Sequence, residues 1–111
     1  MNIQHRQLQK GGWAKLSVIE QLANIGGEVE RALKWRKKNN KEYSKLAFFR
    51  ALELLDLSLS DSNNKLHLPE LTRVREVLVD YFFGENRYSS TDENWQSYFY
   101  SFTFAARVHS V

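Results

Sequence analysis

Apolar residues recur at three- and four-residue spacing in four separate stretches of this chain, and each stretch opens on residues that favour a helix start. Ser17 followed by Glu20 is a capping box, in which each side chain satisfies an orphan backbone N–H of the first turn. Val18, Leu22, Ile25, Val29, Ala32 and Leu33 then form one stripe, and Lys34, Arg36, Lys37 and Lys38 gather where the helix dipole favours cations. Asn39-Asn40 predicts a short turn after Lys38, so a second helix from Lys41 to about Leu59 runs back antiparallel. Its apolar residues, from Tyr43, Leu46 and Ala47 through Leu59, cover more than half the circumference. Deep burial is expected, with a narrow polar strip of Lys45, Glu53, Asp56 and Ser60.

The run 60–64, Ser-Asp-Ser-Asn-Asn, consists of turn formers and predicts an exposed loop. Pro69 suits the first position of a third helix, with Leu71, Val74, Val77, Leu78, Tyr81 and Phe82 on its apolar face. Gly84 is expected to end it in a left-handed cap. Ser90 and Glu93 read as a second capping box, opening a fourth helix that lines Trp95, Tyr98, Phe99, Phe102, Ala105 and Ala106 along one face. Period-two alternation is absent, so the expected fold is an all-α antiparallel four-helix bundle of two helical hairpins with a short N-terminal arm. Residues 1–12 are the flexible arm and 13–111 a single helical-bundle domain. Gly26-Gly27 falls inside helix one, where a glycine costs about 1 kcal/mol relative to alanine. Either a neighbouring backbone comes close there or the helix is merely weakened.

A length of 111 residues suits one core, and 42% apolar with 26% charged residues argues against a disordered chain. Cysteine is absent, which excludes disulfides and thiolate metal sites, and the polar N-terminus lacks the apolar run of a signal peptide. A cytoplasmic protein with no membrane association is expected. The net charge of +3 is uneven: residues 1–55 hold 11 Lys or Arg against 5 Glu, and residues 56–111 hold 5 against 8 acidic residues. That asymmetry either marks a basic face for an anionic partner or pairs one half of the bundle with the other.

Signatures of catalysis are missing: there is no glycine-rich phosphate loop, nucleophile elbow or cysteine nucleophile. A bundle di-iron site needs Glu-x-x-His pairs, and Asn2, Asn64 and Ala106 precede His5, His67 and His109 by three. No catalytic residue, cofactor or metal is therefore expected. His67 with Glu70 is a weak ligand pair at a helix start, where the dipole already explains the glutamate. Glu76 and Asp80 lie one turn apart beside Arg73, either as an acid–base pair or as a solvated, neutralised face. Arg50 falls among Tyr43, Leu54 and Leu57, so it needs a partner: a core ion pair with Glu28 or Asp80, or an anion bound between helices. An enzyme would require Arg50 to converge with Glu76 or Asp80 in one pocket.

The basic cluster around the first turn, with an interleaved tryptophan, has the footprint of nucleic-acid binding, although Glu28, Glu30 and Glu42 dilute it. Arg31, Lys34, Trp35, Lys37, Lys38, Lys41 and Arg50 are the candidate contacts for an anion or a nucleic acid, with Arg36 and Lys45 beside them. Helix four carries a second apolar stripe, Tyr100, Phe104 and Val108, opposite its core face. A helix apolar on both sides must be covered on both, either by a second subunit, making Tyr100, Phe104 and Val108 the candidate oligomer interface, or by the arm through Trp13 and Leu16. The leading expectation is a non-enzymatic, homodimeric interaction module that offers a face to a partner protein; the alternative is a nucleic-acid-binding module using residues 31–45.

The blocks EQLANIGGEVERALKWR, RALELLDL and RVREVLVDYFFGEN resemble a group of short, uncharacterised prokaryotic helical proteins across nearly the whole chain, a resemblance that implies a helical bundle and no particular activity. The general shape also resembles the bundles that accompany minimal nucleotidyltransferases, including HEPN-type ribonucleases. Those carry an arginine four to six residues before a histidine, whereas Arg107 and His109 are two apart. The second resemblance therefore implies a non-catalytic partner role.

Overall fold

In a computed structural model that describes residues 11–109, the chain folds as four α-helices: α1 Val18–Lys37, α2 Lys41–Ser60, α3 Leu68–Phe83 and α4 Asp92–His109. The expected arm, residues 1–12, lies almost wholly outside the described residues. Among those residues there is no strand. Helix α1 starts where the capping box places it: Glu20 N donates to Ser17 Oγ at 3.1 Å and Ser17 N to Glu20 Oε1 at 2.9 Å. It ends at Lys37, and Asn39, at φ 62°, turns the chain in the left-handed region that asparagine tolerates. Asn40 then caps α2 by accepting Tyr43 N at 3.0 Å.

The central pair is α1 with α2, and α4 packs on α1 while α3 packs on α2. Each packed pair runs antiparallel. Gln21 meets Ser58 and Ala32 meets Ser44 across α1 and α2; Gly26 meets Phe99 and Arg36 meets Asp92 across α1 and α4; Phe48 stacks on Phe82 and Asp56 pairs with Arg75 across α2 and α3. The bundle is thus an antiparallel four-helix arrangement in which α4 rests mainly on α1 rather than on its sequence neighbour α3. Ile25, Val29, Leu33, Phe48, Leu54, Leu55, Leu71, Leu78, Trp95 and Phe99 fill the middle.

Several local expectations are corrected. Helix α3 begins one residue early, at Leu68, with Pro69 inside its first turn, where a missing N–H still costs nothing. Gly84 is extended (φ −98°, ψ −156°) and not left-handed; its N–H closes on Asp80 O at 3.0 Å, and a Cβ there would lie 2.9 Å from that oxygen. Close approach requires this glycine, and Asn86, at φ 55°, takes the left-handed position instead. Asn86 also clamps Ser90, accepting its N–H at 2.8 Å and donating to its carbonyl at 3.0 Å. Ser90 is therefore held in the loop, and Thr91 caps α4 in its place, accepting Asn94 N at 3.0 Å. On α2, the deep burial expected of the whole apolar face fails in its first two turns, where Tyr43 and Leu46 remain about half exposed (50% and 46%).

Residues 60–64 are not an exposed loop throughout. Ser62–His67 winds into a 3₁₀ turn, and Asn64 is buried inside a polar knot centred on Gln21. Gln21 Nε2 donates to Trp13 O (3.0 Å), Asp61 Oδ2 (3.1 Å) and Leu16 O (3.3 Å). Its Oε1 accepts from Asn64 Nδ2 (2.8 Å) and Ser58 Oγ (2.9 Å), while Ser58 Oγ accepts Trp13 Nε1 at 2.9 Å. Each buried polar group at this end has a partner, so burial costs little and the segment before α1 is fixed to α2.

Candidate functional site

Helix α4 presents two faces because its apolar residues fall on both sides of the helix. Trp95 and Phe99 turn inward and are buried (7% and 4% exposed), whereas Tyr100, Phe104 and Val108 stand outward at 63%, 57% and 55%. Tyr100 and Phe104 stack obliquely along the outer ridge with ring centres 6.4 Å apart. Beside the ridge lies a groove of about 380 Å³ between α1 and α4, floored by Gly26, Gly27 and Phe99 and rimmed by Glu30, Gln96, Tyr100 and Thr103. At that floor α4 lies tight on α1 because Gly26 has no side chain: a Cβ there would fall 2.6 Å from Phe99 Cβ. The arm does not cover the ridge through Trp13. That tryptophan is buried against α2, its indole N–H bound to Ser58.

The basic cluster divides when its partners are traced. Arg31 pairs with Glu28 one turn earlier, and Arg50 Nη1 stands 3.6 Å from the other oxygen of the same carboxylate. Glu28 is the buried member of the triad (5% exposed), while Arg50 remains more than a third exposed along its side chain. The 3.6 Å separation gives an ion pair without a hydrogen bond, so the attraction is coulombic and the oxygen facing Arg50 has no donor. Trp35 packs edge-on against Tyr43 at 5.0 Å, with the Lys38 ammonium 5.3 Å over its ring. Lys34, Lys37 and Lys41 point to solvent with no carboxylate partner among the described residues.

Arg36 follows a different course. Its guanidinium lies over the rings of Tyr81 and Phe82 (4.6 and 4.7 Å) and pairs with Asp92 at 2.9 Å, joining α1, α3 and the start of α4. The same Asp92 oxygen accepts the Tyr81 hydroxyl. Burial and then Asp92 raise the Tyr81 pKa above its ordinary value. Below this pair, Arg36, Lys41, Ser44 and Lys45 rim a second cavity of about 280 Å³ on a floor of Phe48, Phe82 and Phe83.

Glu76 and Asp80 do not meet Arg50. Asp80 accepts the backbone N–H groups of Arg87 and Tyr88 (3.0 and 3.2 Å), and Glu76 accepts the Tyr88 hydroxyl at 2.8 Å while Arg73 covers that ring. The two carboxylates thus hold the 84–91 loop. Glu70 accepts the Tyr98 hydroxyl at 2.9 Å and so ties α3 to α4. Among the described residues no three His, Asp or Glu side chains gather as a metal site, and no helix is long and apolar enough to cross a membrane.

The sequence reading missed the cavity at Phe48, Phe82 and Phe83 and the Gln21 knot. The second had a signal: Gln21 and Ser58 occupy core-stripe positions, one turn before Ile25 and one turn after Leu54. No family model matches this chain, and neither a curated protein nor a solved structure is similar to it.

Proposed function

We infer that the chain is a non-enzymatic interaction module that works as a homodimer through the outer face of α4 and the groove beside it. The observation that carries this reading is the unbroken outward ridge of Tyr100, Phe104 and Val108, each more than half exposed, against a groove that shares Tyr100. Three such side chains expose on the order of 300 Å² together. A stable interface needs about 800 Å² per partner, so the groove and the adjoining α1 face must join the ridge.

A second copy suits this surface better than an unrelated chain. On a two-fold axis one patch serves both protomers, and here ridge and groove lie side by side, so the ridge of each copy faces the groove of the other. An antiparallel pairing centred on Tyr100 opposes the two helix dipoles favourably. The absence of cysteine suits such a dimer to a reducing cytoplasm.

Sedimentation of the full chain at tens of micromolar tests the reading. A dimer is expected, and Tyr100→Glu with Phe104→Glu should yield a folded monomer of unchanged helicity. A wild-type chain that stays monomeric removes it.

Nucleic-acid binding is a second reading, supported by lysines 34, 37, 38 and 41 around the α1–α2 turn, which have no carboxylate partner among the described residues. Its mark would be RNA or DNA affinity that falls steeply with salt and disappears when Lys37, Lys38 and Lys41 are replaced together. No binding at low salt ends it.

A further inference from the structure

We propose that the cavity between α2 and α3 binds a small aromatic acid, an aryl carboxylate or aryl phosphate of one or two rings. Its floor is wholly aromatic: Phe48 stacks on Phe82 at 4.3 Å and meets Phe83 edge-on at 5.2 Å. Its rim is wholly cationic or hydroxylic, with Arg36, Lys41, Lys45 and Ser44. No carboxylate lines it. Arg36 is neutralised by Asp92 and held over the Phe82 ring, so it serves as a wall. Lys41 and Lys45, one helical turn apart at the start of α2, are exposed and have no ion-pair partner among the described residues. Two free ammonium groups over a low-dielectric floor focus a positive potential into the cavity and favour an anion held above an apolar body.

Size narrows the class. About 280 Å³ falls just below the range of about 300–1,000 Å³ typical of drug and cofactor sites, which suits a single or fused ring rather than a dinucleotide. An inorganic anion would leave the phenylalanine floor wet, and a neutral ring would leave both lysines without a counter-charge. The geometry therefore selects both halves of the ligand together. Phe83, half exposed at 50% and in contact with Phe49 as well, is the ring that a bound aryl group would cover.

The test titrates 2-naphthoate, its neutral analogue 2-naphthalenemethanol and inorganic phosphate into the full chain, read by amide chemical shifts. Naphthoate should saturate with shifts centred on 41–48 and 82–84, at least tenfold tighter than the alcohol, and phosphate should give no saturating shift. Lys41→Ala with Lys45→Ala should weaken naphthoate at least tenfold, and Phe83→Ser comparably. Lys37→Ala with Lys38→Ala, an equal loss of charge outside the cavity, should leave it unchanged. These positions are exposed, so the variants keep the fold, checked by their amide spectra. Naphthoate binding that fails to saturate, equals the alcohol's, or responds equally to both lysine pairs overturns the proposal. Displacement of naphthoate by an oligothymidylate that binds more tightly overturns it too, assigning the rim lysines to nucleic acid. A monomeric protein that still binds naphthoate would leave this site standing while removing the dimer.

Discussion

Phe99 Cβ occupies the space a methyl group on Gly26 would need, 2.6 Å from where that carbon would be built, and this contact sets how closely α4 lies on α1. The neighbouring Gly27 meets nothing nearer than the Arg31 guanidinium at 4.0 Å. Adjacent glycines in one helix should therefore respond with opposite signs. Gly27→Ala gains helix propensity without a clash and should raise stability by about 0.5–1 kcal/mol. Gly26→Ala gains the same propensity but pushes α4 outward, for a net loss of about 1–3 kcal/mol. Urea denaturation at one fixed protein concentration, since a dimer's stability depends on it, reads both; equal shifts of the same sign would contradict the close crossing.

The Gln21 knot predicts an order of severity. Gln21→Leu removes the acceptor of Asn64 and Ser58 and the donor of Trp13 O at once, which should cost about 3 kcal/mol and loosen the segment before α1. Asn64→Ala leaves Ser58 on Gln21 and should cost about 1–2 kcal/mol. Tryptophan fluorescence during denaturation would register the release of Trp13 in the first variant. A leucine at position 21 that stabilises the protein would mean that the knot is tolerated rather than required.

Asp92 holds Arg36 and Tyr81 with a single oxygen at the first turn of α4. Both members of the ion pair are about one third exposed, so solvent screening keeps their mutual attraction modest. Asp92→Ala should still cost about 1–3 kcal/mol, because the tyrosine hydroxyl and the helix dipole lose their partner as well. A double-mutant cycle with Arg36→Ala should show a coupling of about 1 kcal/mol, and a coupling near zero would assign the hold on Arg36 to the rings of Tyr81 and Phe82 alone.

The helix count, the Ser17 box and the turn at Asn39-Asn40 were legible because they are local: a cap and a stripe are written within a few residues of each other. The misreadings share the opposite character. Ser90 and Thr91 are equally good caps, and only Asn86, reaching back across the loop, decides between them. Asn64 looks like a turn residue until Gln21, distant in sequence, supplies the acceptor that makes its burial affordable. Arg50 signalled a need for a partner, yet two carboxylates fitted the spacing; packing places it beside Glu28, while Asp80 is held by the 84–91 loop. The cavity on Phe48 was not legible at all, since it needs Lys41 and Lys45 of one helix to stand over Phe82 and Phe83 of another.

Tyr98 gives the bundle an alkaline limit. Its hydroxyl donates to Glu70, and burial first, then that carboxylate, raise its pKa well above the ordinary value of 10.0. The folded chain therefore holds this proton more tightly than the unfolded chain does. Its contribution to stability is complete below about pH 10 and is lost as pH rises beyond that, because only the unfolded state gives up the proton there. Tyr81 and Tyr88 are raised in the same direction and act with the same sign. Thermal melts from about pH 8 to about pH 11 should fall steeply above 10, and Tyr98→Phe, which carries no such proton, should fall less steeply. Glu70→Gln should lie between them, since burial, the larger cause, survives that change. Identical slopes for all three proteins would mean that Tyr98 titrates freely and that its bond to Glu70 does not persist in solution.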